Sequence, residues 1–396
     1  MRRATSCVVL IFITGLALGA DLPTLGTSFQ IQSTVMQESR TIYVHLPDNY
    51  QRQSTVYPVL YMTDAESKFA PIVATAEFLA RQGRMPAMIV VGVTNTSRTR
   101  DLTPTRASLP TNGSNMMQLP TSGGADRFLQ FFRSELIPWV ETRYRTTPYR
   151  AFCGHSLGGL FALHALATQT DLFQGVIAIS PTLFWDNDLP LRELGALLMR
   201  SNRLDRTLFV SLGNEGPEME SAWARLATTL NDAPAHGLTP QLQRFMDEDH
   251  GSIVMLSAYH GLRKLFESWP IPTDPASGTI LLDFDGIKQH YQTLSKQLGS
   301  RVRPPEQVLN RYGYQVLTTD QKQRAIEIFQ YASELYPQSP NALDSLGEAL
   351  GAIGDWRRAT ATYDAAVALA KKQRDPDLAS YRARAASAHA RLAETP

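Results

Sequence analysis

Two cysteines among 396 residues, Cys7 and Cys153, leave no material for a disulfide framework. Cys7 sits in a leader-like segment, so the mature chain keeps one thiol and relies on its core. Cys153, after Phe152, reads as a small buried apolar residue. Net charge is equally scarce. With 38 Lys and Arg against 37 Asp and Glu, the balance of +1 gives no general case for binding nucleic acid or an anionic surface. Long apolar runs are missing beyond the N-terminus, where Cys7 to Leu18 follows Arg2 and Arg3 and precedes Gly19-Ala20. That run is too short to cross a bilayer. It reads as a secretory signal peptide, residues 1–20, cleaved before Asp21, with an uncleaved anchor as the alternative. The mature protein is expected to be secreted or periplasmic, with no membrane span. Cys/His clusters, H-E-x-x-H and P-loop spacings are absent, so neither a metal nor another cofactor is expected.

What is present centres on Gly154-His155-Ser156-Leu157-Gly158, a G-x-S-x-G sequence. A short apolar run precedes it, and Leu160 to Ala167 continues without a helix breaker. Strand, turn and helix in that order are the setting of a nucleophile elbow, whose strained backbone needs small residues two before and two after the serine. Gly154 and Gly158 meet that need, and Gly159 lets the helix approach the sheet.

Around this point the chain alternates strands and helices. Residues 29–46 read as an antiparallel hairpin, with Ile31, Val35, Ile42, Val44 and Leu46 on one face and Arg40, Tyr43 and His45 on the other. Val56 to Met62 reads as a buried strand, Ile72 to Gln82 as a helix, and Ala87 to Val93 as a central parallel strand. Residues 94–121, rich in Thr, Ser, Asn and Pro, read as a long functional loop. Residues 125–144 form an amphipathic helix kinked or divided by Pro138. Further strands are expected at 175–179, 208–212 and 242–246, with helices at 221–230 and 253–266. The pattern specifies an open α/β sheet with its chemistry at strand ends.

A serine needs an imidazole to take its proton, and the imidazole needs a carboxylate to fix its tautomer. Of eight histidines, His250 alone follows both the serine and a late strand and stands in a loop, before Gly251. His164 and His260 fall inside helices, and His236 in a polar turn. For the acid, Glu215 follows the 208–212 strand; Glu218 is close by, Asp186 and Asp188 come earlier, and Asp247, Glu248 and Asp249 adjoin His250. Oxyanion donors are expected from the N–H of Leu157 and from Asp64 or Ala65. His155, Phe184, Trp185 and Arg100 are candidate substrate-binding residues, although packing also accounts for the aromatics.

Six segments in order carry a resemblance: Arg40-Thr-Ile-Tyr-Val-His-Leu-Pro47, Tyr57-Pro-Val-Leu-Tyr-Met-Thr-Asp64, Arg100-Asp-Leu-Thr-Pro104, Glu135-Leu-Ile-Pro138, Gly154-His-Ser-Leu-Gly-Gly159 and Ser180-Pro-Thr-Leu-Phe-Trp185. From about residue 40 to 269 the chain resembles the putative esterase family of the α/β-hydrolase superfamily, which includes siderophore esterases, S-formylglutathione hydrolase and feruloyl esterases. The resemblance implies an α/β-hydrolase fold over residues 21–272, with Ser156 as nucleophile and His250 as base. Relatives often carry Asp-Gly where this chain has Asp64-Ala65.

After a connector (273–300), residues 301–396 contain a repeat at a step of 34 residues. Tyr312-Gly313 answers to Leu346-Gly347, and Ala325, Phe329 and Ala332 answer to Ala359, Tyr363 and Ala366. The pattern resembles tetratricopeptide units, implying a small all-α domain that offers a groove to a peptide or protein partner, or serves as a structural or self-association arm. The leading expectation is an exported serine esterase acting on a small-molecule ester. An acyltransferase on the same triad and a non-catalytic scaffold are the alternatives.

Overall fold

The structure, a computed structural model, describes residues 25–394 except 49, 53, 111–115, 202 and 233–236. The leader at 1–20 and His236 therefore lie outside the described residues. Among the described residues, no helix is long and apolar enough to cross a membrane.

Alternating polarity folds the first segment into the antiparallel hairpin of β1 (Thr27–Ser33) and β2 (Glu38–His45). Arg40 departs from the sequence reading. It shares strand parity with Ile42 and Val44 and is buried with them, on the opposite side of the strand from Tyr43 and His45. Its fully buried guanidinium lies 2.7 Å from both Asp101 and Glu38 and 5.0 Å from the Phe128 ring centroid. A charge is tolerated there because it is paired.

Six further strands, β3 (Tyr57–Met62), β4 (Ile89–Val93), β7 (Thr146–His155), β8 (Gly175–Ile179), β9 (Arg206–Leu212) and β10 (Leu238–Arg244), complete an eight-stranded sheet of order β1-β2-β4-β3-β7-β8-β9-β10. All neighbours from β4 to β10 run parallel. β4 is buried throughout as expected, but β2 pairs with it antiparallel. β10 begins at Leu238 rather than Leu242, because an edge strand tolerates Pro240 and its missing N–H.

Residues 94–121 are not one irregular loop. They contain α2 (Arg98–Leu102) and a small hairpin, β5 (Ser108–Pro110) with β6 (Met116–Gln118). The helix before them, α1 (Ala65–Arg81), starts seven residues earlier than expected and carries Pro71 within it. The 125–144 segment divides into α3 (Ala125–Phe131), a π-helical turn (Phe132–Leu136) and α4 (Ile137–Arg143). The widened turn, in which the Ile137 N–H bonds the Phe132 carbonyl, falls immediately before Pro138, which has no N–H to give. Phe128, Phe131, Phe132, Leu136 and Val140 all face the core. Helices α5 (Leu157–Thr168), α6 (Leu189–Arg200), α7 (Pro217–Asp232) and α8 (Val254–Leu265) complete the α/β layers.

The supposed connector holds a helix, α9 (Phe284–Leu298). Its apolar residues recur at helical spacing, and Phe284, Ile287, Tyr291 and Leu294 join the apolar cluster of the C-terminal helices. These are α10 (Glu306–Leu317), α11 (Lys322–Leu335), α12 (Pro340–Ala352), α13 (Trp356–Gln373) and α14 (Leu378–Glu394). One contact repeats at the 34-residue step: Gly313 lies against Phe329, and Gly347 against Tyr363. The helices join the sheet domain at its lower edge. Leu298 enters the core of the sheet domain, Gln297 donates to the Leu265 carbonyl at 3.1 Å, and Gly299 abuts Pro148. Pro148 stands at the start of β7, eight residues and roughly 26 Å of extended chain before Ser156.

Candidate active site

At the top of β7 the chain turns directly into α5, and Ser156 alone spans the turn with φ 62° and ψ −117°. L-residues avoid that conformation, so the surroundings must impose it. Its N–H donates to the Ile179 carbonyl at 2.9 Å, and its own carbonyl accepts from Leu160 at 3.0 Å. The turn is tight enough that a Cβ on Gly154 would stand 2.0 Å from the Gly158 carbonyl oxygen. Cys153, just below, is buried, and burial pushes its thiol up to about 12.

Across the mouth, His250 stands in the loop between β10 and α8. Its Nδ1 lies 2.6 Å from Glu215 Oε2, and its side chain keeps 46% of its surface against 6% for Glu215. The exposed ring can meet a substrate; the buried carboxylate orients it. Burial alone would raise the Glu215 pKa, but the hydrogen bond to His250, aided by Ser180, outweighs it and holds the carboxyl below its usual range.

The other acids have different partners. Asp186 accepts from Thr105 at 2.7 Å and Asp188 pairs with Arg225 at 2.6 Å. Asp249 receives the N–H groups of Gly251 and Ser252, bracing its own loop. Glu218 lies in the first turn of α7, and no hydrogen bond joins it to His250 among the described residues.

Leu157 and Ala65 each open a helix, α5 and α1, so their N–H groups have no intrahelical acceptor. Asp64, left-handed at φ 56°, sets the start of α1. Its carboxylate is gripped by Arg98 Nε at 2.7 Å and Nη2 at 3.0 Å, and by Asn95 at 2.6 Å. Burial opposes its charge, yet Arg98 keeps its pKa low. Arg98 Nη2 also donates to the His155 carbonyl at 3.2 Å, tying the end of β3 to the elbow. Sequence reasoning passed over Arg98, because nothing in a Thr- and Arg-rich stretch separates it from Arg100.

The substrate-binding candidates fare differently. Arg100 is committed to the frame, with Nη2 2.6 Å from Glu38 and Nε 2.7 Å from Asp101. Trp185 is fully buried, its indole N–H bonded to Thr105 at 3.1 Å, and so has no surface for a ligand. Phe184 is half-buried against the same core. His155 is buried too, and its ring bonds the His250 backbone rather than facing outward.

The family described as "Putative esterase" matches residues 33–230, half of the chain. Ferri-bacillibactin esterase BesA of Bacillus subtilis is 29% identical over 261 residues, covering 60% of this chain and 89% of its own. A siderophore enterobactin esterase of Emericella nidulans is 31% identical over 238 residues, covering 49% and 77% respectively. Among solved structures, an IroE-like serine hydrolase from Shewanella oneidensis superposes with a TM-score of 0.67 at 28% identity, covering 78% of this chain and 99% of that one. On the strength of a match that spans the strained elbow and the strands around it, this chain belongs to the putative esterase family and has the α/β-hydrolase fold with a C-terminal all-helical region.

Proposed function

We propose that the protein is an exported serine esterase that cleaves a carboxylic ester of the siderophore type through an acyl-enzyme. The observation that carries this reading is the 2.6 Å contact of Glu215 with His250 Nδ1, across the mouth from a serine held at φ 62°. A carboxylate on Nδ1 keeps the proton there and leaves Nε2 free to act as base. Ser156 Oγ attacks the ester carbonyl while Nε2 takes its proton, then returns that proton to the departing alcohol. Water enters by the same route and releases the acid. The oxyanion is received by the N–H of Leu157 and by that of Ala65 or Asp64.

Substrate class follows from the relatives, which include esterases of siderophores. Export follows from the leader of residues 1–20. The C-terminal helices are tetratricopeptide-like units whose free face receives a peptide or a second copy. Their attachment below the sheet leaves the mouth open.

The test measures hydrolysis of p-nitrophenyl esters of increasing acyl length, and of a ferric siderophore ester, by the mature protein and Ser156→Ala. Serine-dependent turnover supports the reading. Equal inactivity, together with failure to label with a fluorophosphonate, would overturn it.

A further inference from the structure

We propose that His155, the variable residue of the elbow, is a positioning residue for the catalytic base: its ring holds the backbone carbonyl of His250 and ties the loop of the base to the turn of the nucleophile. This rests on the Ser156–His250–Glu215 reading above.

The geometry is specific. His155 Nε2 lies 2.6 Å from the His250 carbonyl oxygen, and the two ring centroids are 4.6 Å apart. A carbonyl oxygen only accepts, so Nε2 carries the proton. The backbone that carries the ring is itself fixed, since the carbonyl of His155 accepts from Arg98, which is clamped on Asp64.

The loop has other anchors, and they point elsewhere. Asn214 N–H bonds the Glu248 carbonyl at 2.7 Å, linking the loop to the end of β9, and Asp249 braces the loop on itself. Among the described residues, the hydrogen bond that joins this loop to the elbow is the one from His155.

The ring must also be neutral. Burial first, then the neighbouring His250, bring the His155 pKa down to about 4. A charged ring at this distance would oppose the imidazolium that forms on His250 during acylation. The site thus has two histidines in contact with divided duties: an exposed one placed to act as the base and a buried one that holds its loop.

The experiment compares His155→Phe, His155→Asn and His155→Gln in the full mature protein, beside wild type and Ser156→Ala. A glutamine amide reaches about as far as imidazole Nε2; an asparagine amide stops short, and phenylalanine has no donor. Phe and Asn are expected to lower kcat for a p-nitrophenyl ester about 10- to 100-fold, the penalty of a displaced catalytic group. KM should hold within about twofold, and fluorophosphonate labelling should slow in parallel. Glutamine should restore kcat to within about threefold of wild type. Melting temperatures of the three variants verify folding, and Asn against Gln decides the matter if Phe does not fold. Wild-type kcat in Phe or Asn, or an equal fall in Asn and Gln, overturns the proposal while leaving the triad intact. Full activity in Ser156→Ala overturns the triad, and this proposal with it.

Discussion

The upper edge of the sheet and the C-terminal helices are built on opposite terms. Among the described residues, nine non-glycine residues have positive φ; Asp64, Ser156 and Ser180 stand just past the ends of β3, β7 and β8, and Asp186, Asn187 and Asp188 lie in the turn between β8 and α6. The helical region holds only Arg374, a helix C-cap. Strain persists only where the surroundings over-determine it, and at Asp64 and Ser156 it falls where an oxyanion donor and the nucleophile are expected. Within residues 306–373 a unit occurs twice in which a glycine seats an aromatic ring of the next helix, Gly313 with Phe329 and Gly347 with Tyr363. One region keeps its backbone in costly conformations at the strand ends, and the other stacks helices with little strain.

The contrast can be broken at several points. Ser156→Ala should remove about 10⁴-fold or more of the turnover while leaving the melting temperature intact; substantial residual activity would locate the chemistry elsewhere. Glu215→Gln should lower kcat by about 10²- to 10⁴-fold, whereas Glu218→Gln should stay within about threefold of wild type. Reversed results would move the acid onto α7. Arg40→Met should destabilise the sheet domain by about 3 kcal/mol in urea unfolding, because buried Asp101 loses one of its two cationic partners and keeps only Arg100. A neutral result would mean that Arg100 alone compensates.

Gly313→Val would force a side chain into Phe329, which approaches to 2.5 Å of the position of a Cβ there. It should destabilise the helical region by about 2 kcal/mol and leave kcat unchanged. A fall in kcat would show that the two regions are coupled.

The smallest effect concerns pH. Glu215 and Asp64 are buried, but His250 and Arg98 hold their pKa values down, so their stabilisation is complete above the unfolded values and is lost as pH falls through the folded ones. Asp344 is the reverse. Burial outweighs Arg384 and raises its pKa, so its contribution is complete at low pH and is lost as pH rises through the folded value. Acidification from neutrality to about pH 4 should therefore lower the calorimetric transition of the sheet domain more than that of the helices. Equal shifts would remove the distinction.

Much of this was legible in residue order. Local rules placed the elbow, because a strand, two glycines and a breaker-free helix leave Ser156 little choice of conformation. Chain order after the serine selected His250, and spacing picked out the 34-residue repeat. The connector hid α9 because the Pro, Asp and Gly residues before it read as a linker, although Phe284, Ile287, Tyr291 and Leu294 recur at helical spacing. Arg40 was assigned to the wrong face, since a charge in a strand reads as exposed until a buried Asp101 is known to await it.

What the sequence determined on its own was local: which segments become strands and helices, and which serine is turned outward. Only the tertiary structure decided which carboxylate meets His250 and which arginine meets Asp64. It also decided that His155 faces the loop of the base and that Trp185 is packing rather than pocket. Those partners lie 34 to 95 residues apart along the chain, from Arg98 and Asp64 at 34 to His155 and His250 at 95. Periodicity and propensity act over a few residues, whereas such pairings arise only when the whole sheet brings its strand ends to one edge.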